Sequence, residues 1–137
     1  MLHLLFAAMF FAGIANSNAT TAYIFSKKTI TVIINEKGNA IVGRDTMTLD
    51  ELATELQKRL WKSYTGTGKM YDAIYLQYAG DVLMGVKKTA MKAIQQAQKN
   101  ALKEICLQLH KKLFEDLRNR QQNNIRKRFP VLFQQEY

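Results

Sequence analysis

Residues 29–60 read TITVIINEKGNAIVGRDTMTLDELATELQKRL, and this stretch decides the fold. Its first six residues are all β-branched, which favours extended backbone, and Ile30, Val32 and Ile34 fall on one face of the strand. Turn-forming residues at 35–39 follow and include a glycine that can adopt positive φ. They lead into a short apolar return strand, so the sequence predicts a β-hairpin.

A capped helix follows the hairpin at once. Thr48 and Glu51 have the spacing of a capping box, in which the hydroxyl and the carboxylate each bond a backbone N–H that the first turn leaves unpaired. The apolar residues that follow recur at helical spacing: Leu49, Leu52, Ala53, Leu56 and Leu60. We expect this stripe to pack on the sheet and a loop to follow at residues 61–69.

Residues 73–78, AIYLQY, alternate and are rich in aromatic side chains, which is typical of a strand. From Leu83 the period becomes helical, and apolar residues recur every three or four positions: Val86, Ala90, Ile94, Ala97, Ala101, Ile105 and Leu109. The predicted fold class is α+β. A small sheet from residues 29–34, 40–43 and 73–78 is covered on one face by two helices, the second of them long.

The C-terminal part of the chain predicts further short elements. The long helix is expected to bend or break near residues 116–119, where cap-forming residues appear. Residues 121–128 predict another helical turn or two, ended by Phe129 and Pro130, because the residue before a proline resists the α conformation. Residues 131–133 are apolar and are a candidate edge strand.

Residues 1–25 form an apolar N-terminal segment. The apolar run at 2–15 is shorter than the roughly 20 residues of a membrane span, and residues 17–19 resemble a small-residue cleavage site. No Lys or Arg precedes the run, so two interpretations stay open: a signal-like segment or part of a membrane anchor. Either one places the remaining domain, residues 28–137, outside the cytoplasm.

The formal net charge is +9, and the excess of positive charge lies in the C-terminal part. A basic surface of this kind fits nucleic acid, an anionic membrane surface or an acidic protein, and it also fits a solvated helix face. Cys106 is the only cysteine and is expected to be buried, and His3 and His110 have no companions at metal-ligand spacing. No catalytic constellation is recognisable, so neither an enzyme nor a cofactor is expected.

Three segments, in this order, resemble the periplasmic domain of the ExbD/TolR family: residues 30–38 (ITVIINEKG), 47–52 (MTLDEL) and 74–77 (IYLQ). They are similar to the family's strand and N-x-x-G turn, its (T/S)-L-x-x-L helix start and its buried strand. Smaller likenesses are Asp81, Val82 and Gly85 before the second helix, and a tail at 114–130 like that of Bacteroidetes-type members. The resemblance covers roughly residues 28–130.

The resemblance implies a non-catalytic interaction subunit of a proton-motive-force-driven envelope transport complex of the TonB type. Its partners would be an ExbB/TolQ-like channel subunit and a TonB/TolA-like transducer, and it would form a homodimer or a heterodimer with a relative. It would be anchored in the inner membrane with a periplasmic domain, or soluble in the periplasm after signal cleavage. The family's membrane aspartate has no counterpart, since no Asp or Glu precedes Glu36.

Such a subunit needs a sheet edge that accepts a partner strand and a helix face for dimerisation. The candidate edges are residues 29–34 and 131–133. The candidate partner-binding residues are Ile30, Val32 and Ile34 on the strand, Ile94, Ile105 and Leu109 on the long helix, and Arg126, Lys127 and Arg128 in the tail. The alternative functions are a basic module that binds nucleic acid or a membrane surface, and a secreted soluble relative with no motor role.

Overall fold

Four strands and three α-helices build residues 27–137, the part of the chain that the computed structural model describes. The predicted N-terminal segment, residues 1–25, lies outside the described residues. The elements are β1 (Thr29–Asn35), β2 (Ala40–Val42), β3 (Asp45–Met47), α1 (Leu49–Thr67), β4 (Ala73–Ala79), α2 (Met84–His110) and α3 (Asn119–Arg128). Two 3-10 helices, Phe114–Asp116 and Pro130–Phe133, flank α3.

The strands form one mixed sheet in the order β3-β2-β1-β4. β1 pairs antiparallel with β2 and parallel with β4, so it lies inside the sheet. The predicted α+β class and the three predicted strands are confirmed. β3 was not predicted. The stretch at 43–45 was expected to close the hairpin, but the chain turns there, and three more residues pair antiparallel with β2.

α1 begins with the predicted capping box and continues further than expected. The Thr48 hydroxyl accepts from the Glu51 N–H at 3.4 Å, and the Glu51 carboxylate accepts from the Thr48 N–H at 2.9 Å. The predicted loop at 61–69 is wrong, because the helix runs through Thr67 and ends at Gly68 with φ 74°. The hydroxyls of Thr65 and Thr67 near its end donate to backbone carbonyls one turn earlier, so these polar groups are satisfied within the helix.

The core lies between one face of the sheet and the helices α1 and α2. Alternate residues of β1 face it, as the hairpin pattern predicts. Among the fully buried side chains are Val32, Ile34 and Ile74 from the sheet, Leu52, Leu56 and Leu60 from α1, and Ala90, Ile94, Ala97, Ala101 and Ile105 from α2. Within residues 27–137, no helix is both long enough and apolar enough to cross a membrane.

The chain after α2 folds back onto that helix. α2 ends at His110, earlier than the break expected at 116–119, and Lys111 follows in the left-handed region with φ 57°. Residues 131–133 are not an edge strand, because Pro130 opens a 3-10 helix there. Phe129, Val131 and Leu132 are buried, so the C-terminal extension shares the domain core.

Replacing Leu56 by alanine should lower the free energy of unfolding by about 2–5 kcal/mol. Leu56 is fully buried, so truncation removes apolar contacts and leaves a cavity between α1 and the sheet. Urea unfolding of the two proteins measures the difference. An unchanged unfolding midpoint would show that the α1 stripe does not face a core.

Replacing Gly80 by alanine should cost about 1–3 kcal/mol, since Gly80 has φ 81° and a Cβ there would collide with the Glu36 carboxylate. That carboxylate accepts from the Asp81 N–H at 3.1 Å, so it cannot move away without losing this bond. Gly66→Ala is the matched control, because Gly66 is helical with open space around it. We expect the control to be neutral or slightly stabilising; an equal loss in both variants would contradict this reading.

Candidate functional site

The sheet has two outer strands in the described part of the chain, and they differ in length and chemistry. The expectation that residues 29–34 offer an open edge is wrong, because β1 pairs on both sides. β3 is only three residues long and carries Asp45, whose carboxylate pairs with Arg59. Short, charged strands are poor templates for a partner strand. β4 is seven residues long, and its outer edge is therefore the candidate binding edge.

Among the described residues, the outer edge of β4 is covered only at Ile74. The side-chain amide of Gln134 accepts from the Ile74 N–H at 2.9 Å and donates to the Ile74 carbonyl at 2.7 Å. The N–H and C=O of one strand residue point to the same edge of the strand, and this edge alternates from residue to residue. The main-chain groups of Leu76 and Tyr78 therefore point to the outer edge, as those of Ile74 do. Within residues 27–137, nothing hydrogen-bonds to the outward main-chain groups of Leu76 and Tyr78.

Gln134 belongs to the C-terminal strap, which we define as residues 131–137. The strap is tied to α2 by Gln98, whose side chain is buried with 4% exposure. The Gln98 amide donates to the carbonyls of Val131 and Gln134 at 2.8 and 2.9 Å, and its oxygen accepts from the Tyr137 hydroxyl. Burial raises the pKa of Tyr137, and the hydrogen bond to Gln98 opposes that rise to a smaller extent.

One face of α2 borders the open part of this edge. The Lys87 ammonium lies 4.7 Å from the centre of the Tyr78 ring. Met84 and Met91 are three and four residues from Lys87, so they share its helix face, and both side chains are exposed. A strand added to β4 would therefore place alternate side chains against a helix face that carries two exposed methionines and Lys87.

The predicted partner-binding residues on the strand and most of those on the long helix lie inside the domain. Ile30, Val32, Ile34, Ile94 and Ile105 are buried in the core between the sheet and the helices. Their side chains are therefore not on the surface of the domain. Leu109, near the end of α2, is 37% exposed.

Arg126, Lys127 and Arg128 are exposed, but the structure does not bring them together into one patch. Residues two apart on a helix differ by about 200°, so Arg126 and Arg128 reach opposite sides of α3. Arg126 stacks on Phe114 and Phe133, with its guanidinium carbon 5.1 and 5.8 Å from the ring centres. Arg128 lies over Tyr64 and Phe129 and donates to the Tyr64 hydroxyl at 3.2 Å.

Arg126 lines a concave surface near the strap. We call it the C-terminal groove, a volume of about 1010 Å³ between α2 and the segments at 113–115 and 132–135. Lys99 and Lys103 of α2 line it as well. The groove and the outer edge of β4 meet at Gln134, which lines the first and bonds the second.

Gln98, Gln134 and the β4 edge were not predicted from the sequence. One signal for Gln98 was present: it stands four residues after Ile94 and three before Ala101, on the apolar stripe of α2. A polar residue at such a position is buried and needs hydrogen-bond partners. Nothing local in the sequence marks Gln134, whose partner Ile74 is 60 residues away.

Cys106 is buried, as expected. Burial and the nearby Glu115 carboxylate raise the pKa of its thiol, so the sulfur stays protonated and weakly nucleophilic. Within residues 27–137, no three His, Cys, Asp or Glu side chains lie close enough together to hold a metal ion.

The chain matches no protein-family model, no curated protein and no solved structure. Function is therefore inferred from the geometry of the β4 edge, the strap and the groove.

The raised pKa of Tyr137 predicts a pH dependence of stability. The folded state keeps the phenol proton to a higher pH than the unfolded state does. This contribution to stability is therefore complete below about pH 10 and is lost as the pH rises through the raised pKa. Tyr137→Phe should make the free energy of unfolding fall less steeply as the pH rises from about 9 to about 11, the range in which tyrosine side chains titrate.

Urea unfolding at several pH values measures this slope. Tyr75→Phe is the matched control, because Tyr75 is 48% exposed and lies away from the strap on the other face of the sheet. Its slope should follow that of the unsubstituted protein. Equal slopes for the two variants would contradict the role given to Tyr137.

Proposed function

We propose that this protein is a non-catalytic interaction subunit that captures an extended segment of a partner protein along the outer edge of β4. The observation that carries the proposal is the row of outward main-chain groups at Leu76 and Tyr78, which have no hydrogen-bond partner within residues 27–137. Strand addition uses such groups for affinity and uses alternate side chains for specificity.

The size of this edge predicts a modest affinity. Two outward residues offer four main-chain hydrogen bonds, each worth about 0.5–1.5 kcal/mol net. Association itself has an entropic cost of several kcal/mol, so the hydrogen bonds alone are not enough. The apolar face of α2 at Met84 and Met91 supplies the additional contact area. A reversible contact of this kind suits a subunit that engages and releases its partner.

The strap limits how far a partner strand can extend. Gln134 already occupies the outward groups of Ile74, so an added strand ends near Leu76. The open length from residue 75 to residue 79 accommodates a segment of about five residues. The partner therefore presents a short extended segment and not a long strand.

The order of sequence motifs supports an ExbD/TolR-like setting for this capture. In that setting the protein is part of a proton-motive-force-driven envelope transport complex, of the type that serves TonB-dependent uptake. The captured segment would come from a TonB/TolA-like transducer, and an ExbB/TolQ-like channel subunit would be the second partner. The domain would lie in the periplasm, held at the inner membrane or soluble after cleavage, as a homodimer or a heterodimer with a relative.

Site-specific photo-crosslinking in the native host tests this proposal. A photoreactive residue at Tyr78 should crosslink to an extended periplasmic segment of a transducer, identified by mass spectrometry. The same residue at Lys58, an exposed position on α1, is the control and should not capture that segment. The same partners at both positions, or partners at Tyr78 that are cytoplasmic, would rule out the proposal.

Replacing Tyr78 by proline should weaken binding of the captured segment about tenfold or more, since proline removes the outward N–H. The N–H of Tyr78 takes no part in the ladder with β1, so the fold should be kept. Tyr78→Thr is the matched control, because it removes the ring and retains the N–H. Circular dichroism checks the fold of both variants, and equal affinities of the two variants would contradict strand addition.

A further inference from the structure

The C-terminal groove is lined by both charged and apolar side chains. Among the described lining residues, Lys99 and Lys103 from α2 and Arg126 from α3 supply three positive charges, and Glu115 supplies one negative charge. The apolar part of the lining comes from Leu102, Leu113, Phe114, Leu132 and Phe133. A ligand that suits this groove carries negative charge at one point and apolar surface next to it.

Arg126 is held in place before any ligand arrives. The Phe114 and Phe133 rings lie 5.4 Å apart at 52°, and the Arg126 guanidinium stacks on both. In the described part of the chain, no ion pair involves Arg126 and its guanidinium donates no hydrogen bond. Stacking leaves the N–H groups at the edge of the guanidinium free for a carboxylate, which they bind in a two-pronged fork.

The rest of the lining favours a peptide carboxylate over a phosphate polymer. Three cations and the Glu115 carboxylate leave an excess of two positive charges in the described lining, which the carboxylates of an acidic peptide segment can balance. Arg126 lies over Phe114 and Phe133, so the ring faces that it covers are not available to stack on bases. Gln95 and Gln135, also in the lining, offer amide groups that can bond a peptide backbone.

We infer that the C-terminal groove binds an acidic peptide segment, with a carboxylate on Arg126 beside Lys99 and Lys103 and a neighbouring apolar side chain on the leucine and phenylalanine lining. This inference goes beyond strand capture, because it rests on different residues and does not require the β4 edge. The groove and the edge meet at Gln134, so one partner with acidic residues next to its extended segment engages both.

The probe is a pair of tripeptides, acetyl-Asp-Phe-Asp-amide and its uncharged twin acetyl-Asn-Phe-Asn-amide, which have the same main chain and therefore the same capacity for strand pairing. Titration of the full chain is followed by amide chemical shifts in nuclear magnetic resonance spectra. The acidic tripeptide should shift the amides of Lys99, Lys103, Phe114 and Arg126, and the uncharged twin should bind at least about tenfold more weakly.

Arg126→Gln should weaken the acidic tripeptide about tenfold or more, because it removes the charged fork. Lys127→Gln is the matched control: it removes the same charge from the next residue, which does not line the groove. Arg126→Lys keeps the charge without the fork and should give an intermediate affinity. Thermal unfolding checks that all three variants fold.

Three results would overturn the inference. Equal weakening of tripeptide binding by Arg126→Gln and Lys127→Gln would show a general effect of net charge. Equal binding of the twin tripeptides would show that the groove does not recognise a carboxylate. Arg126-dependent binding to anionic phosphatidylglycerol vesicles, without tripeptide binding, would assign the site to lipid headgroups. Tyr78→Pro should leave tripeptide binding unchanged while it weakens strand capture, so the two proposals fail separately.

Discussion

The C-terminal half of the site depends on the hydrogen bonds that the buried side-chain amide of Gln98 makes to the strap. Gln98 is 4% exposed and makes three hydrogen bonds, two to strap carbonyls and one to the Tyr137 hydroxyl. A buried amide left without partners costs about 1–3 kcal/mol, so the strap is held in one register against α2. That register carries the Gln134 side chain to Ile74 and places residues 132–135 along the groove.

The position of the strap decides what β4 offers to a partner. The parallel pairing of β1 with β4 leaves β4 as a long outer strand, and a strand of that kind is a template for further pairing. Gln134 bonds Ile74 as a neighbouring strand would, and no other described residue covers the outward main-chain groups of Leu76 and Tyr78, which lie next to the α2 face that carries Lys87. Gln134 therefore limits the length of the open edge, and Gln98 fixes the position of Gln134.

Local sequence was sufficient for most of the strands and helices and insufficient for the site. The β-branched run and the capping box at Thr48 are signals within a few residues, and both were read correctly. The loop expected at 61–69 was wrong because the helix ends only at Gly68, the residue that adopts the left-handed conformation. The strand expected at 131–133 was wrong because Pro130 starts a 3-10 helix. The β4 edge depends on a contact between residues 60 positions apart, which no local pattern encodes.

Native-state hydrogen exchange at three amides of β4 tests the central claim most directly. The account predicts that the Ile74 amide, which donates to Gln134, exchanges slowly, whereas the Leu76 and Tyr78 amides on the same edge exchange fast. The inward amides of Tyr75 and Gln77 should be protected, since they face β1. Uniformly slow exchange from residue 74 to residue 78 would contradict the account, because it would mean that the outer edge of β4 is already covered.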